Sequence, residues 1–337
     1  MPRDCADRIR RKQNWFDALS ICGARVAANR ARVPATLPFR HVLLALIVVA
    51  IWGSNFVAIK LSLDDLPPLL LAALRFVFVS LPVVFFVPRP AITWRQLIVY
   101  GLTMFAAQFA FMFIGMKLGM PAGLASLVLQ FQVFVSLALS TLLLGERVRA
   151  VQIAGALVAA VGFVIVALHT GGDVTIAGLV CVLLAATSWS FANVTSRRLG
   201  KVNPLALVAW GGLVVPLPMG LASLVFEGGP TAIWHAITHA GVAAWLGVAY
   251  TVFLSTLVAY SIWSWLLSHH PASTVTPFTL LVPVFGMLTA AVTLGESLPG
   301  WKLQAAALVI AGLVLCVFGP RVQARFRPAS ATSPGNV

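Results

Sequence analysis

The chain has 337 residues, of which 60% are hydrophobic and only 9% charged, against roughly 25% charged residues in an ordinary soluble domain. That composition excludes a water-soluble fold, which could neither hide so much apolar surface nor stay dispersed with so few charges. The net charge of +14 would suit a nucleic-acid partner, but the basic residues avoid the apolar runs and gather in the tails and in certain loops, a pattern set by membrane topology.

Residues 1–40 carry Arg3, Arg8, Arg10, Arg11, Lys12, Arg25, Arg30, Arg32 and Arg40. No continuous apolar stretch follows them before the first long run, so they read as a solvated basic tail rather than a cleavable signal. Beyond the tail, apolar runs near the ~20 residues needed to cross a bilayer predict spans at 42–60, 69–87, 96–116, 122–143, 150–168, 175–194, 204–225, 240–267, 272–293 and 301–319. All should be helices, because lipid cannot hydrogen-bond an exposed backbone and no barrel-like alternation is present. The connections are short, with turn residues at Pro67-Pro68, Gly171-Gly172, Asn203-Pro204 and Gly228-Gly229-Pro230. The fold class is thus all-α integral membrane, with about ten transmembrane helices.

With the N-terminus inside, nineteen Lys and Arg fall in the inner segments and three, Lys60, Lys117 and Lys302, in the outer loops. Both termini are therefore expected in the cytoplasm. Four cysteines, Cys5, Cys22, Cys181 and Cys316, have no metal-type or CxxC spacing and are expected as free thiols.

The chain also repeats itself. A shift of 150 residues lays Pro121-Ala122 on Pro271-Ala272, Leu144-Gly145-Glu146 on Leu294-Gly295-Glu296, and Gly162 on Gly312. A shift of 136 lays Pro68-Leu69 on Pro204-Leu205 and Leu81-Pro82 on Leu217-Pro218. A five-helix unit is odd in number, so its second copy must run upside down, an arrangement used by transporters with a site near mid-membrane. The expected division is a tail (1–40), a first repeat (41–168), a second repeat (174–319) and a C-terminal tail (320–337).

Polar groups inside the spans are costly and mark the candidate site. Arg75 in span two could hold a carboxylate bidentately, or it could snorkel or bond a carbonyl and fix packing. Trp52 and Asn55 share a face of span one, as Trp189 and Asn193 do in span six; these pairs could line a cavity or serve as helix glue. In span four, Gln130 and Gln132 should point some 160° apart on a continuous helix, so only one should face the cavity. Gln108, with Tyr260 and Trp263, completes the candidate lining. Pro277 and Pro283 should kink span nine, whereas their counterparts Leu127 and Val133 should leave span four straight. Glu146 and Glu296 are expected to cap the helices that follow them, with gating by alternate ion pairs as the other reading. No Asp or Glu lies deep in a span, so proton coupling has no evident carrier. Catalytic, metal and channel-filter motifs are absent from the sequence, and neither an enzyme activity nor a cofactor is expected.

The runs Trp52-Gly53-Ser54-Asn55-Phe56-Val57-Ala58-Ile59-Lys60, Leu74-Arg75-Phe76, Gly119-Met120-Pro121-Ala122-Gly123-Leu124-Ala125-Ser126-Leu127-Val128-Leu129-Gln130 and Leu280-Leu281-Val282-Pro283-Val284, with the two Gly-Glu steps, resemble the EamA family of the drug/metabolite transporter superfamily. The likeness covers about residues 40–320. It implies a ten-helix carrier of the bacterial inner membrane that exports amino-acid metabolites, such as cysteine or O-acetylserine, by alternating access. It also implies a central cavity that maps onto Trp52, Asn55, Arg75, Gln108, Gln130, Trp189, Asn193 and Tyr260. The expected partners are the lipid bilayer and a small-molecule substrate, with no nucleic acid. A broader exporter of amphipathic compounds and a non-transporting sensor of the same fold are the alternatives.

Overall fold

The structure, a computed structural model, describes residues 37–172, 174–200 and 202–326. The basic N-terminal tail with Cys5 and Cys22, and most of the C-terminal tail, lie outside the described residues. The described chain forms eleven helical elements: α1 (Phe39–Asp65), α2 (Pro68–Val84), α3 (Trp94–Lys117), α4 (Ala122–Leu144), α5 (Ala150–Leu168), α6 (Ile176–Arg198), α7 (Pro204–Phe226), α8 (Gly229–His239), α9 (Val242–His269), α10 (Ala272–Leu294) and α11 (Gly300–Phe326). Among the described residues there is no strand beyond one isolated bridge between Thr170 and Val174.

Nine of these helices are long and apolar enough to cross a membrane, and α2 adds a tenth apolar helix of 17 residues. At about 1.5 Å per residue α2 spans roughly 25 Å, at the short end of the range that crosses a bilayer. The helix starts follow local chemistry. Thr93 and Gln96 close a capping box at α3, Thr175 accepts from Gly178 N at α6, and prolines occupy the first turn of α2 and α7. Two departures from the sequence expectation stand out. Residues 229–239 form α8 where only a connection was expected, and α11 runs on to Phe326.

Helix ends collect at two faces. At one, Asp65 Oδ2 accepts from Gly241 N (2.8 Å), Glu227 accepts from Leu69 N and Leu70 N (2.7 and 3.0 Å), and Thr175 donates to Leu118 O (2.5 Å). Lys117 also donates to Leu63 O there. At the other, Arg197 pairs with Glu146 (2.9 Å), Arg198 donates to Leu143 O (2.9 Å), Arg149 donates to Pro320 O (2.6 Å), and His41 meets His270 at 2.6 Å. These are called the acidic and the basic face below.

Packing between the two halves is reciprocal. Helix α1 packs on α9 and α10, α6 packs on α3 and α4, α2 packs on α7, and α5 packs on α11. Since α1 starts at the basic face and α6 at the acidic face, the corresponding helices run in opposite directions, as an odd-numbered repeat requires. The close approaches rest on small residues. A Cβ on Gly155 would meet Gly312 O at 2.6 Å, and one on Gly53 would meet Gly286 N at 2.8 Å. Large apolar residues such as Leu142, Leu157, Leu217 and Val242 stay exposed, as a lipid-facing surface requires and a soluble surface does not tolerate.

Candidate functional site

A cavity of about 380 Å³ lies between the halves. It is lined by seven of the eight residues singled out from the sequence: Trp52, Asn55, Arg75, Gln108, Gln130, Trp189 and Tyr260. The eighth, Asn193, stands in an adjoining polar cavity of about 390 Å³ that runs to Glu146 and Arg197 at the basic face. Gln132, Val133 and Val317 line both cavities, which therefore adjoin.

Arg75 is 3% exposed. It neither snorkels nor bonds a backbone carbonyl. Its Nη2 donates to Thr256 Oγ1 at 3.1 Å, and its guanidinium carbon lies 4.3 Å from the centre of the Phe109 ring. The Thr256 hydroxyl donates in turn to Thr251 O at 2.8 Å, which leaves its lone pairs for the arginine. Nε and Nη1 of Arg75 are buried with no hydrogen-bond partner, and so is Asn55 Oδ1. Buried polar atoms left unpaired are expensive; here unpaired donors and an unpaired acceptor belong to residues that line one cavity.

The walls are aromatic. Trp52 Nε1 donates to Ser255 O at 3.1 Å, and its ring stacks edge-on against Tyr260 (5.3 Å) and Trp263 (5.1 Å). Ser54 Oγ and the Tyr250 hydroxyl lie 2.5 Å apart behind it.

Local departures from α-helix put these groups in place. Leu102–Ala107 in α3 and Tyr250–Val258 in α9 are π-helical. They overlap under the 150-residue shift, and Gln108 and Thr256 lie at their ends or within them. Such segments turn side chains off the regular 100° spacing and recur at functional sites. Thr256 and Phe109 went unread in the sequence, since a threonine and a phenylalanine in an apolar run carry no signal until the π segment and helix packing bring them to Arg75.

The expectation that only one of Gln130 and Gln132 could face the cavity is corrected, because both do. Helix α4 breaks at Leu129–Gln130, where Gln130 N, Gln132 N and Val133 N bond carbonyls three residues back; this tighter winding brings the two side chains closer in angle. Gln130 Nε2 reaches Thr279 O at 3.4 Å, and Gln132 Oε1 accepts from Asn193 Nδ2 at 3.0 Å. The expected asymmetry between spans four and nine is likewise corrected. Helix α10 is wound as a 3₁₀ helix over Thr276–Leu281, so both helices are interrupted at the matching register although only α10 has prolines. Trp189 and Asn193 part company, one in each cavity. Cys181 and Cys316 are free.

The two Gly-Glu steps also differ from expectation, since neither carboxylate caps the helix that follows it. At the start of helix α5 it is Gln152 Oε1 that accepts from Arg149 N, at 3.0 Å. Glu296 instead accepts from Ala122 N (2.6 Å) and Gly123 N (3.0 Å) at the start of α4, while Glu146 pairs with Arg197.

The EamA-like transporter family model matches this chain twice, over residues 39–168 and 176–318. A probable amino-acid metabolite efflux pump of Salmonella typhimurium is 43% identical over 286 residues, covering 83% of this chain and 95% of the relative. Its Escherichia coli counterpart of the same description is 41% identical, covering 82% and 95%. A probable terminal-alkyne amino-acid exporter of Streptantibioticus cattleyicolor is 28% identical, covering 86% and 96%. A solved crystal structure shares the fold, with a TM-score of 0.59 at 22% identity over 84% of this chain and 98% of that one. The chain is a multi-pass membrane protein that belongs to the EamA-like transporter family.

Proposed function

We infer that this protein exports small zwitterionic amino-acid metabolites, of the size of cysteine or O-acetylserine, across the bacterial inner membrane by alternating access, with the basic face in the cytoplasm. One observation carries the reading: Arg75, whose buried Nε and Nη1 have no hydrogen-bond partner, and Asn55, whose buried Oδ1 has none, line one cavity. A carboxylate accepts a charge-assisted hydrogen bond from one of these N–H groups, which point from different edges of the guanidinium, and an ammonium donates to the amide oxygen. A zwitterion satisfies both without bringing net charge into the membrane. The cavity volume suits a molecule of that size, and the Trp52, Trp189 and Tyr260 walls suit a short side chain. The descriptions of the two relatives above 40% identity support the same cargo class, and the count of basic residues supports the orientation.

The test is counterflow of labelled cysteine and O-acetylserine into proteoliposomes, beside a panel of neutral amphipathic compounds. Cysteine or O-acetylserine should exchange, and Arg75→Gln should raise their KM by about ten- to a hundredfold, the loss of charge-assisted hydrogen bonds. Exchange of the neutral compounds alone, or an Arg75→Gln variant that still carries cysteine normally, would overturn the reading. Repeating the assay with an imposed pH gradient tests coupling; with no carboxylate among the described residues lining the central cavity, the exchange rate should not follow the gradient.

A further inference from the structure

The two Gly-Glu steps have one backbone and two environments. Gly145 and Gly295 both close their helices in the left-handed region at φ 67°, which favours glycine. Glu146 N and Glu296 N reach the carbonyls six residues back, Ser140 O and Ala290 O, at 3.3 and 3.4 Å. Local structure therefore cannot explain why the carboxylates act differently. At the acidic face both oxygens of Glu296 hold the first two amides of α4, and Ala122 and Gly123 are buried. At the basic face the matching residues of α10, Ala272 and Ser273, are exposed, and Glu146 turns to Arg197 in the lining of the polar cavity. The α4 start is docked on the end of α10, while the α10 start stands away from the end of α4.

We propose that Glu296 and Glu146 are the paired positioning residues of the transport cycle, resting on the carrier reading above. In the conformer seen, Glu296 clamps the α4 amides and shuts the acidic face. In the opposite conformer Glu146 clamps the amides of Ala272 and Ser273 and shuts the basic face, and Glu296 lets go. The freed Glu296 is not stranded. Counted from Trp52 and Trp189, Lys60 and Arg197 are both eight residues on, and Lys60 now holds only the exposed Asp64 at 2.6 Å. Each conformer keeps one carboxylate on amides and one on a surface cation, so the exchange is close to balanced and a bound solute can tip it. The clamp is the stronger of the two arrangements, because an exposed ion pair contributes little while a carboxylate bonded to two buried amides contributes more.

The experiment uses the full chain in membranes, with Cys5, Cys22, Cys181 and Cys316 replaced by serine. A reporter cysteine stands at Ser126, one turn below the clamp and 2% exposed. A membrane-impermeant maleimide is applied to each side in turn. Glu296→Gln should speed labelling from the acidic-face side by about tenfold, and Glu146→Gln, on a residue whose side chain is exposed, should slow it. Unchanged labelling in Glu296→Gln, or faster acidic-side labelling in Glu146→Gln, would overturn the proposal. If Glu296→Gln does not accumulate in the membrane, the direction of the Glu146→Gln effect decides alone. Labelling needs no substrate, so a protein that labels as expected but exchanges no cysteine keeps the gate and loses the cargo assignment.

Discussion

The guanidinium carbon of Arg75 lies 4.3 Å from the centre of the Phe109 ring, with the ring of Phe76 at 5.8 Å. The ring quadrupole supplies part of the attraction that lipid denies a buried cation, without using any of its N–H donors. That is how an arginine can be 3% exposed while its Nε and Nη1 have no hydrogen-bond partner.

Phe109→Leu keeps the apolar volume and removes the ring face. A desolvated cation–π contact contributes about 1–2 kcal/mol, so the variant should raise the KM for a carboxylate-bearing substrate by about five- to thirtyfold. Counterflow kinetics in proteoliposomes measure this. An unchanged KM would mean that the ring only fills space.

Glu227 stands between α7 and α8 and takes the amides of Leu69 and Leu70 at the start of α2, the helix that carries Arg75. Glu227→Ala should lower stability by about 0.5–2 kcal/mol, the range for lost N-terminal caps. The thermal midpoint in detergent should fall by a few degrees, and counterflow at low temperature should survive.

Backbone packs on backbone where Gly155 of α5 meets Gly312 of α11. Gly155→Val has no room, and overpacking of this kind costs about 1–3 kcal/mol. Gly300→Ala, where a Cβ would meet nothing within 4 Å, should leave the thermal midpoint unchanged or slightly raised. If both variants melt together with wild type, the α5–α11 seam does not contribute to stability.

His270, in the loop between α9 and α10, has its pKa pushed below the ordinary 6.5 by burial and by the neighbouring His41 and His269. A histidine that resists protonation when folded but accepts it when unfolded makes the unfolded state bind more protons between the two pKa values. Stability from this site is therefore fully present above about pH 6.5 and is lost as pH falls through that range toward the lower folded pKa. Melting curves from pH 8 to pH 5 should show a decline that flattens in His270→Gln. An equal slope in the variant would remove His270 as its source.

Much of the architecture is legible in the residues because lipid enforces it. Apolar runs of bilayer length leave the backbone no option but helix, so the spans are in place to within a few residues. The turn at Phe85–Phe86 and helix α8 escaped, since both lie where the chain leaves the apolar solvent and weaker local preferences decide. Seven candidate residues do share one cavity, because polar groups in lipid must gather away from it. Their partners did not show in the sequence. Thr256 reaches Arg75 only through the π segment of α9, and Gln130 joins Gln132 only because α4 breaks between Leu129 and Phe131.

Composition, span length and the 150-residue register are properties of the chain alone, and they suffice to make it a membrane-spanning protein of two opposed halves. Which buried polar atoms stay unpaired, and which Gly-Glu step holds its opposite helix, depends on how the helices pack. Glu146 and Glu296 occupy the same local backbone and could each make either contact. Only the packing of α4 against α10, tight at the acidic face and parted at the basic one, tells them apart.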